Sequence, residues 1–97
     1  MIEHLVLFKL KPGATPEQKE AMREGLLSLR ERVPGILDLT CGFNFSDRAA
    51  GHEIGLVVRL ESRAALEGYI PHSAHREVVE RDVRPIMDSV IVVDYEI

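Results

Sequence analysis

Ile2-Glu3-His4-Leu5-Val6-Leu7-Phe8-Lys9-Leu10-Lys11 is the stretch from which the rest of the fold can be worked out. It is rich in apolar and β-branched residues and stops at the turn signal Pro12-Gly13, so it reads as a first strand. Side chains along a strand alternate between two faces. Ile2, His4, Val6, Phe8 and Leu10 fall on one face, and Leu5 and Leu7 share the other with Glu3 and Lys9. Large apolar residues on both faces mean that both sides of the sheet need cover.

Downstream, Thr15-Pro16-Glu17-Gln18 is a helix start: a threonine N-cap, proline at the first helical position and glutamine closing a capping box. Met22, Leu26, Leu29 and Val33 follow at helical spacing as one buried stripe, with Arg23, Glu24, Arg30 and Glu31 outside. Val33-Pro34-Gly35 stops the helix. Leu37 to Ser46 alternates, with Leu37, Leu39, Cys41, Phe43 and Phe45 on the apolar side, as a half-buried strand does. Asp47 to Gly51 is a polar connection, and His52 to Glu61 is a third strand with Ile54, Leu56, Val58 and Leu60 on one face. So short a connection implies an antiparallel hairpin.

Ser62 caps a short helix carrying Ala65, Leu66 and Tyr69, which breaks at Pro71 because proline has no amide hydrogen to give. A second helical piece runs from about Ser73 to Val83, with Val79 and Val83 inward, and ends at Arg84-Pro85. Ser89 to Ile97 is the last strand, with Val90, Val92 and Asp94 on one face and Ile91, Val93 and Tyr95 on the other.

The order strand, helix, strand, strand, helix, strand is an α+β arrangement, the ferredoxin-like βαββαβ unit: one domain over residues 1–97 with a four-stranded antiparallel sheet and both helices on one face. The first and last strands are expected to be neighbours in the middle of the sheet. The helices cover one face, and Leu5, Leu7, Ile91 and Val93 occupy the other. An apolar face of that kind marks an association surface. The expectation is a homodimer whose two sheets pack face to face as a dimeric α+β barrel, the alternative being a terminal tail or loop over the same residues.

A hydrophobic share of 45% and a charged share of 29% are those of an ordinary globular domain. A net charge of −4 and the lack of any basic stripe with interleaved aromatics argue against nucleic acid. The longest apolar runs, such as Val90 to Val93, are too short to cross a bilayer, and no charged segment with an apolar h-region opens the chain. The single cysteine, Cys41, rules out an internal disulfide and fits a reducing cytoplasm; it reads as a small buried hydrophobe. A soluble cytoplasmic protein is expected.

Proton-active residues concentrate in Tyr69-Ile70-Pro71-His72-Ser73-Ala74-His75, at the helix break. Tyr69 and His75 are expected near the open edge between helices and sheet, where a cleft can form. There His75 can remove a proton beside a substrate carbonyl while Tyr69 stabilises the developing oxyanion. The other reading makes Tyr69 a core residue and His75 a first-turn residue bonded to its neighbours. His4 lies in the apolar row with Val6 and Phe8, and Asp94 lies on the strand expected beside it. Asp94 either orients the His4 ring or is simply wet at the strand end. His72 and His75 have no third ligand at a recognisable spacing, so no metal and no cofactor is expected. No phosphate loop, nucleotide fingerprint or serine elbow is present.

These segments, together with Val33-Pro34-Gly35-Ile36 and Val93-Asp94-Tyr95, resemble the stress-responsive A/B barrel family over nearly the whole chain. The resemblance implies a dimeric barrel of ferredoxin-like subunits. The family includes plant stress proteins and a plant polyketide cyclase that closes a ring by an aldol reaction without a cofactor. Carried over by position, that cyclase's general base falls on His75, its substrate-holding tyrosine on Tyr69 and its strand-one histidine on His4. Its second strand histidine falls on Ile54, which leaves open whether His52, two residues earlier, replaces it. The common His-Pro-x-His form is also altered, with Ser73 where proline is usual and Pro71 on the other side of His72.

The resemblance therefore implies a pocket for a small, apolar carbonyl compound, with Val6, Phe8, Ile54, Leu56, Val79, Val92 and Asp94 on its wall. It implies either cofactor-free acid–base catalysis, such as an aldol-type cyclisation or an isomerisation, or a stress-associated structural or binding protein without turnover, in which the same residues tie the helix break to the sheet. A cofactor-free monooxygenase, known among related barrels, is a third reading. Fold alone does not choose among them.

Overall fold

A computed structural model describes residues 1–97. Its elements run β1 (Ile2–Leu10), α1 (Pro16–Ser28), β2 (Ile36–Phe43), β3 (His52–Leu60), α2 (Arg63–Tyr69), α3 (Ser73–Val78) and β4 (Met87–Glu96). A 3₁₀ turn at Leu29–Glu31 prolongs α1, and a π turn at Val79–Val83 prolongs α3. The capping box is formed at both ends: Gln18 N–H donates to Thr15 Oγ1 at 3.1 Å, and Thr15 N–H donates to Gln18 Oε1 at 2.9 Å. Ser62 caps α2 with a single bond, accepting from the Ala65 N–H at 3.1 Å.

All strand pairs are antiparallel and the sheet order is β2-β3-β1-β4. β1 and β4 are neighbours, but the middle pair is β1 and β3, and β4 lies at an edge. This corrects the expected placement and has a topological cause. The crossover from β1 through α1 to β2 steps over β3, and the crossover from β3 through α2 and α3 to β4 steps over β1. Two interleaved crossovers of one hand leave β2 and β4 outermost.

The core lies between the sheet's helix-facing side and the helices. Ile2, Val6, Phe8 and Leu10 meet Ile54, Leu56, Val58 and Leu60, and the whole α1 stripe of Met22, Leu26, Leu29 and Val33 is buried over them. Each such side chain contributes roughly 1.5–3 kcal/mol on leaving water. Gly25 lets α1 approach the π turn: a Cβ there would collide with the Asp82 carboxylate and crowd Val78.

β2 departs from simple alternation. Ile36 stands opposite Leu60 and Asp38 opposite Arg59, so Leu37 is an extra residue in a bulge and is exposed. Phe45 lies beyond the end of β2 and is also exposed. On the face away from the helices, Leu7, Val57, Ile91, Val93 and Tyr95 are exposed, while Glu3 is buried beside Arg59 in an ion pair.

Candidate active site

A cavity of about 580 Å³ opens between the sheet and the helix break. Its sheet wall is His4, Val6 and Phe8 of β1, Leu56 of β3, and Val90, Val92 and Asp94 of β4. Its helix wall is Leu66, Glu67, Tyr69 and Ile70 of α2 and the break after it, then His75, Val79 and Val83, with Leu26 and Met87 completing the lining. The gap follows from the helices. α1 packs on β2, and α2 on β1 and β3, but no helix packs closely on β4. Val90 and Val92, which belong to the helix-facing side, therefore stay 40% and 49% exposed.

The register of β1 and β4 sets His4 directly opposite Asp94. The two are bonded through His4 Nδ1 and Asp94 Oδ1, so the wet-terminus alternative for Asp94 gives way to the orienting one. A carboxylate only accepts, so the proton of this bond lies on Nδ1 and a neutral His4 ring carries its lone pair on Nε2. The His4 and Tyr69 rings meet edge-on with centroids 5.7 Å apart, and the Tyr69 and His75 rings do so at 4.7 Å. Tyr69 thus packs against two imidazoles. It is fully buried, and its hydroxyl has no hydrogen-bond partner in the protein.

Burial sets the electrostatics. Loss of water lowers the His75 pKa below its ordinary 6.5; the Ile70 backbone works against this, and His4 and His72 add to it. His75 is therefore neutral at neutral pH. Burial raises the Tyr69 pKa, so its hydroxyl keeps its proton and remains a donor. Cys41, outside the cavity lining, is pushed up to about 11 by burial and is no nucleophile.

Two other histidines are occupied elsewhere. His72 is the N-cap of α3, its Nδ1 accepting the Ala74 N–H at 3.0 Å. His52 bonds the Ala49 carbonyl at 3.1 Å in the β2–β3 hairpin and does not reach the cavity. Ile54, expected on the pocket wall, is instead fully buried in the core and absent from the lining, because its part of β3 is covered by packed side chains. Leu26, Leu66, Glu67, Ile70, Val83, Met87 and Val90 line the cavity without having been singled out for it. Leu66 and Ile70 carried a signal, lying four apart on one side of the short helix with Tyr69.

The model of the stress responsive A/B barrel domain matches residues 2–97. The chain belongs to the stress-responsive A/B barrel family. Among its A/B barrel relatives, a stress-response A/B barrel domain-containing protein of Arabidopsis thaliana is 34% identical over 97% of this chain, which spans 36% of that longer protein. An uncharacterised protein of Streptomyces coelicolor is 30% identical over 78% of the chain and 80% of its own length. Among solved structures, an Arabidopsis thaliana protein has a TM-score of 0.87 at 26% identity, covering 99% of this chain and 94% of that one. A dimeric ferredoxin-like protein of Thermobifida fusca has a TM-score of 0.87 at 22% identity, covering 99% and 90%. A hydroxynitrile lyase of Passiflora edulis has a TM-score of 0.87 at 18% identity, covering 99% and 92%, and shows the A/B barrel fold alone. Several such neighbours are dimeric. No helix of the chain is long and apolar enough to cross a membrane.

Proposed function

We propose that this A/B barrel protein binds a small, largely apolar carbonyl compound in the cavity and moves a proton on it without a cofactor. The observation that carries the reading is Tyr69 on the cavity wall, its ring packed edge-on against the His4 and His75 imidazoles and its buried hydroxyl without a partner in the protein. A buried polar group of that kind needs an account, and a substrate oxygen gives one. With the carbonyl oxygen against Tyr69, neutral His75 takes a proton from the adjacent carbon. The electron pair of that C–H bond moves toward the oxygen, where the Tyr69 hydroxyl stabilises the enolate. His4, held in one orientation by Asp94, presents a second imidazole. The enolate then attacks another carbonyl carbon of the same molecule, whose oxygen takes the proton back from His75, as in an aldol-type cyclisation. Where a carbon–carbon double bond is conjugated with it, the enolate instead takes the proton back from His75 at the far end of that conjugated system, as in an isomerisation. Val6, Phe8, Leu56, Val79 and Val92 supply the apolar wall. That a hydroxynitrile lyase has this fold supports only the statement that the scaffold can carry an enzyme.

We infer, too, that two copies pair through Leu5, Leu7, Ile91 and Val93. The exposed apolar sheet face and the dimeric neighbours support this.

The test follows exchange of α-hydrogen for deuterium in methyl octyl ketone dissolved in heavy water, read by NMR. Exchange above the buffer rate that is lost in His75→Ala and in Tyr69→Phe is the expected result. Binding of the ketone without accelerated exchange would leave a binding protein and sink the catalytic reading.

A further inference from the structure

The charged groups at the cavity mouth are unevenly divided. Glu67 of α2 and Asp94 of β4 are the carboxylates that line it, and no lysine or arginine does. A smaller hollow of about 290 Å³ shares Leu66, Glu67 and Asp94 with the cavity and continues past Arg63 and Tyr95 to Glu96. The two hollows therefore meet at Glu67 and Asp94. Arg63, the one cation there, is held by Glu96 at 2.5 Å, and Asp94 is engaged by His4. Glu67 is exposed and, with Arg63 turned to Glu96, has no ion-pair partner. Tyr69 lines the same cavity, and its buried hydroxyl has no partner in the protein.

We propose that Glu67 fixes the charge of the ligand, so that the site takes neutral carbonyl compounds and rejects the matching carboxylates. This rests on the reading of the cavity as a ligand site. An anion on this route passes Glu67 and Asp94 and then loses its water in an apolar space where no cation replaces it. A neutral carbonyl oxygen needs only one donor, which Tyr69 supplies. The Tyr69 hydroxyl by itself can bind either kind of oxygen; the discrimination comes from the anion's lost hydration and from repulsion by the carboxylates, and the second part is what a change at Glu67 moves.

Methyl octyl ketone and nonanoate share an octyl chain and differ in the polar end, which makes them a matched pair of probes. Each is titrated near neutral pH into wild type, Glu67→Gln and Glu67→Lys, and binding is read from amide shifts around Tyr69 and His75. Because Glu67 is exposed, both variants are expected to keep the wild-type fold, which the same spectra check. The expected result is ketone binding in all three and nonanoate binding weaker by roughly tenfold or more in wild type. Glu67→Lys closes that gap by roughly tenfold, and Glu67→Gln by less. Equal binding of the two probes by wild type, or a gap that Glu67→Lys leaves unchanged, overturns charge selection while the cavity stands as a ligand site. If neither probe moves any amide in the cavity, the ligand-site reading itself falls, and this inference with it.

Discussion

His4 and Asp94 face each other across the β1–β4 pairing, and the Nδ1 of one is bonded to the Oδ1 of the other. His4 is buried and Asp94 is about two-fifths exposed, so the carboxylate ties an interior imidazole to the rim of the cavity. Asp94→Ala removes the only acceptor the structure gives Nδ1. Water at the rim replaces part of what is lost, so stability should fall by only about 1 kcal/mol in urea denaturation. The sharper readout is nitrogen-15 NMR of the imidazole, where His4 should change from one fixed tautomer to a mixture. An unchanged tautomer in Asp94→Ala would mean that another group orients the ring.

Acid should switch His75 off later than an ordinary histidine. Its pKa is lowered from 6.5 by burial, so it stays neutral, and able to accept a proton, to lower pH. The acid limb of ketone α-exchange should therefore fall below 6.5. Stability carries the same sign. Between the lowered value and 6.5 the unfolded chain binds more protons than the folded one, so folding stability rises with pH across that window and is lost as pH falls through it. In His75→Ala this part of the pH dependence should vanish from the urea midpoints.

His72 and His75 should separate cleanly under mutation. His72 accepts the Ala74 N–H as the N-cap of α3, so His72→Ala should cost about 1 kcal/mol of stability, and His72→Asn should restore most of it. Exchange activity should survive both changes far better than it survives His75→Ala. A His72→Asn protein that is stable but inactive would move His72 into the chemistry.

The sheet face away from the helices gives a test by mass. Leu7 is 41% exposed on that face, so a charge there does little harm to the single chain and much to a paired one. Wild type should sediment as a dimer at micromolar concentration, and Leu7→Glu should shift it to monomer with the far-UV spectrum preserved. A wild type that stays monomeric removes the pairing argument.

Local signals were readable where the physics is local. Thr15, Pro16 and Gln18 specify a helix start within four residues, and the helix break at Pro71 follows from one missing amide hydrogen. Strand alternation is local too, and it placed apolar side chains on both faces of β1. What escaped depended on distant partners. Alternation cannot show that Leu37 is the extra residue of a bulge, because that depends on the register with β3. Asp94 could not be assigned until the β1–β4 register put it opposite His4. Ile54 has the right strand face for the pocket wall, but the packing over it closes that part of β3. Glu67 had no signal at all: a single acid on a short exposed helix gains meaning only from the hollow it borders.

β4 pairs with β1 along one edge and is uncovered on both faces. Val90, Val92 and Asp94 face the cavity, and Ile91, Val93 and Tyr95 face the opposite way, all on one strand with no close helix behind it. In the proposed dimer the strand is a wall shared by two equilibria, ligand capture on one side and subunit pairing on the other. Any ligand that shifts the strand must change the association constant, and pairing must change ligand affinity by the same factor. In the proposed dimer with a ligand in its cavity, dilution of the protein and removal of the ligand would act through the same ten residues.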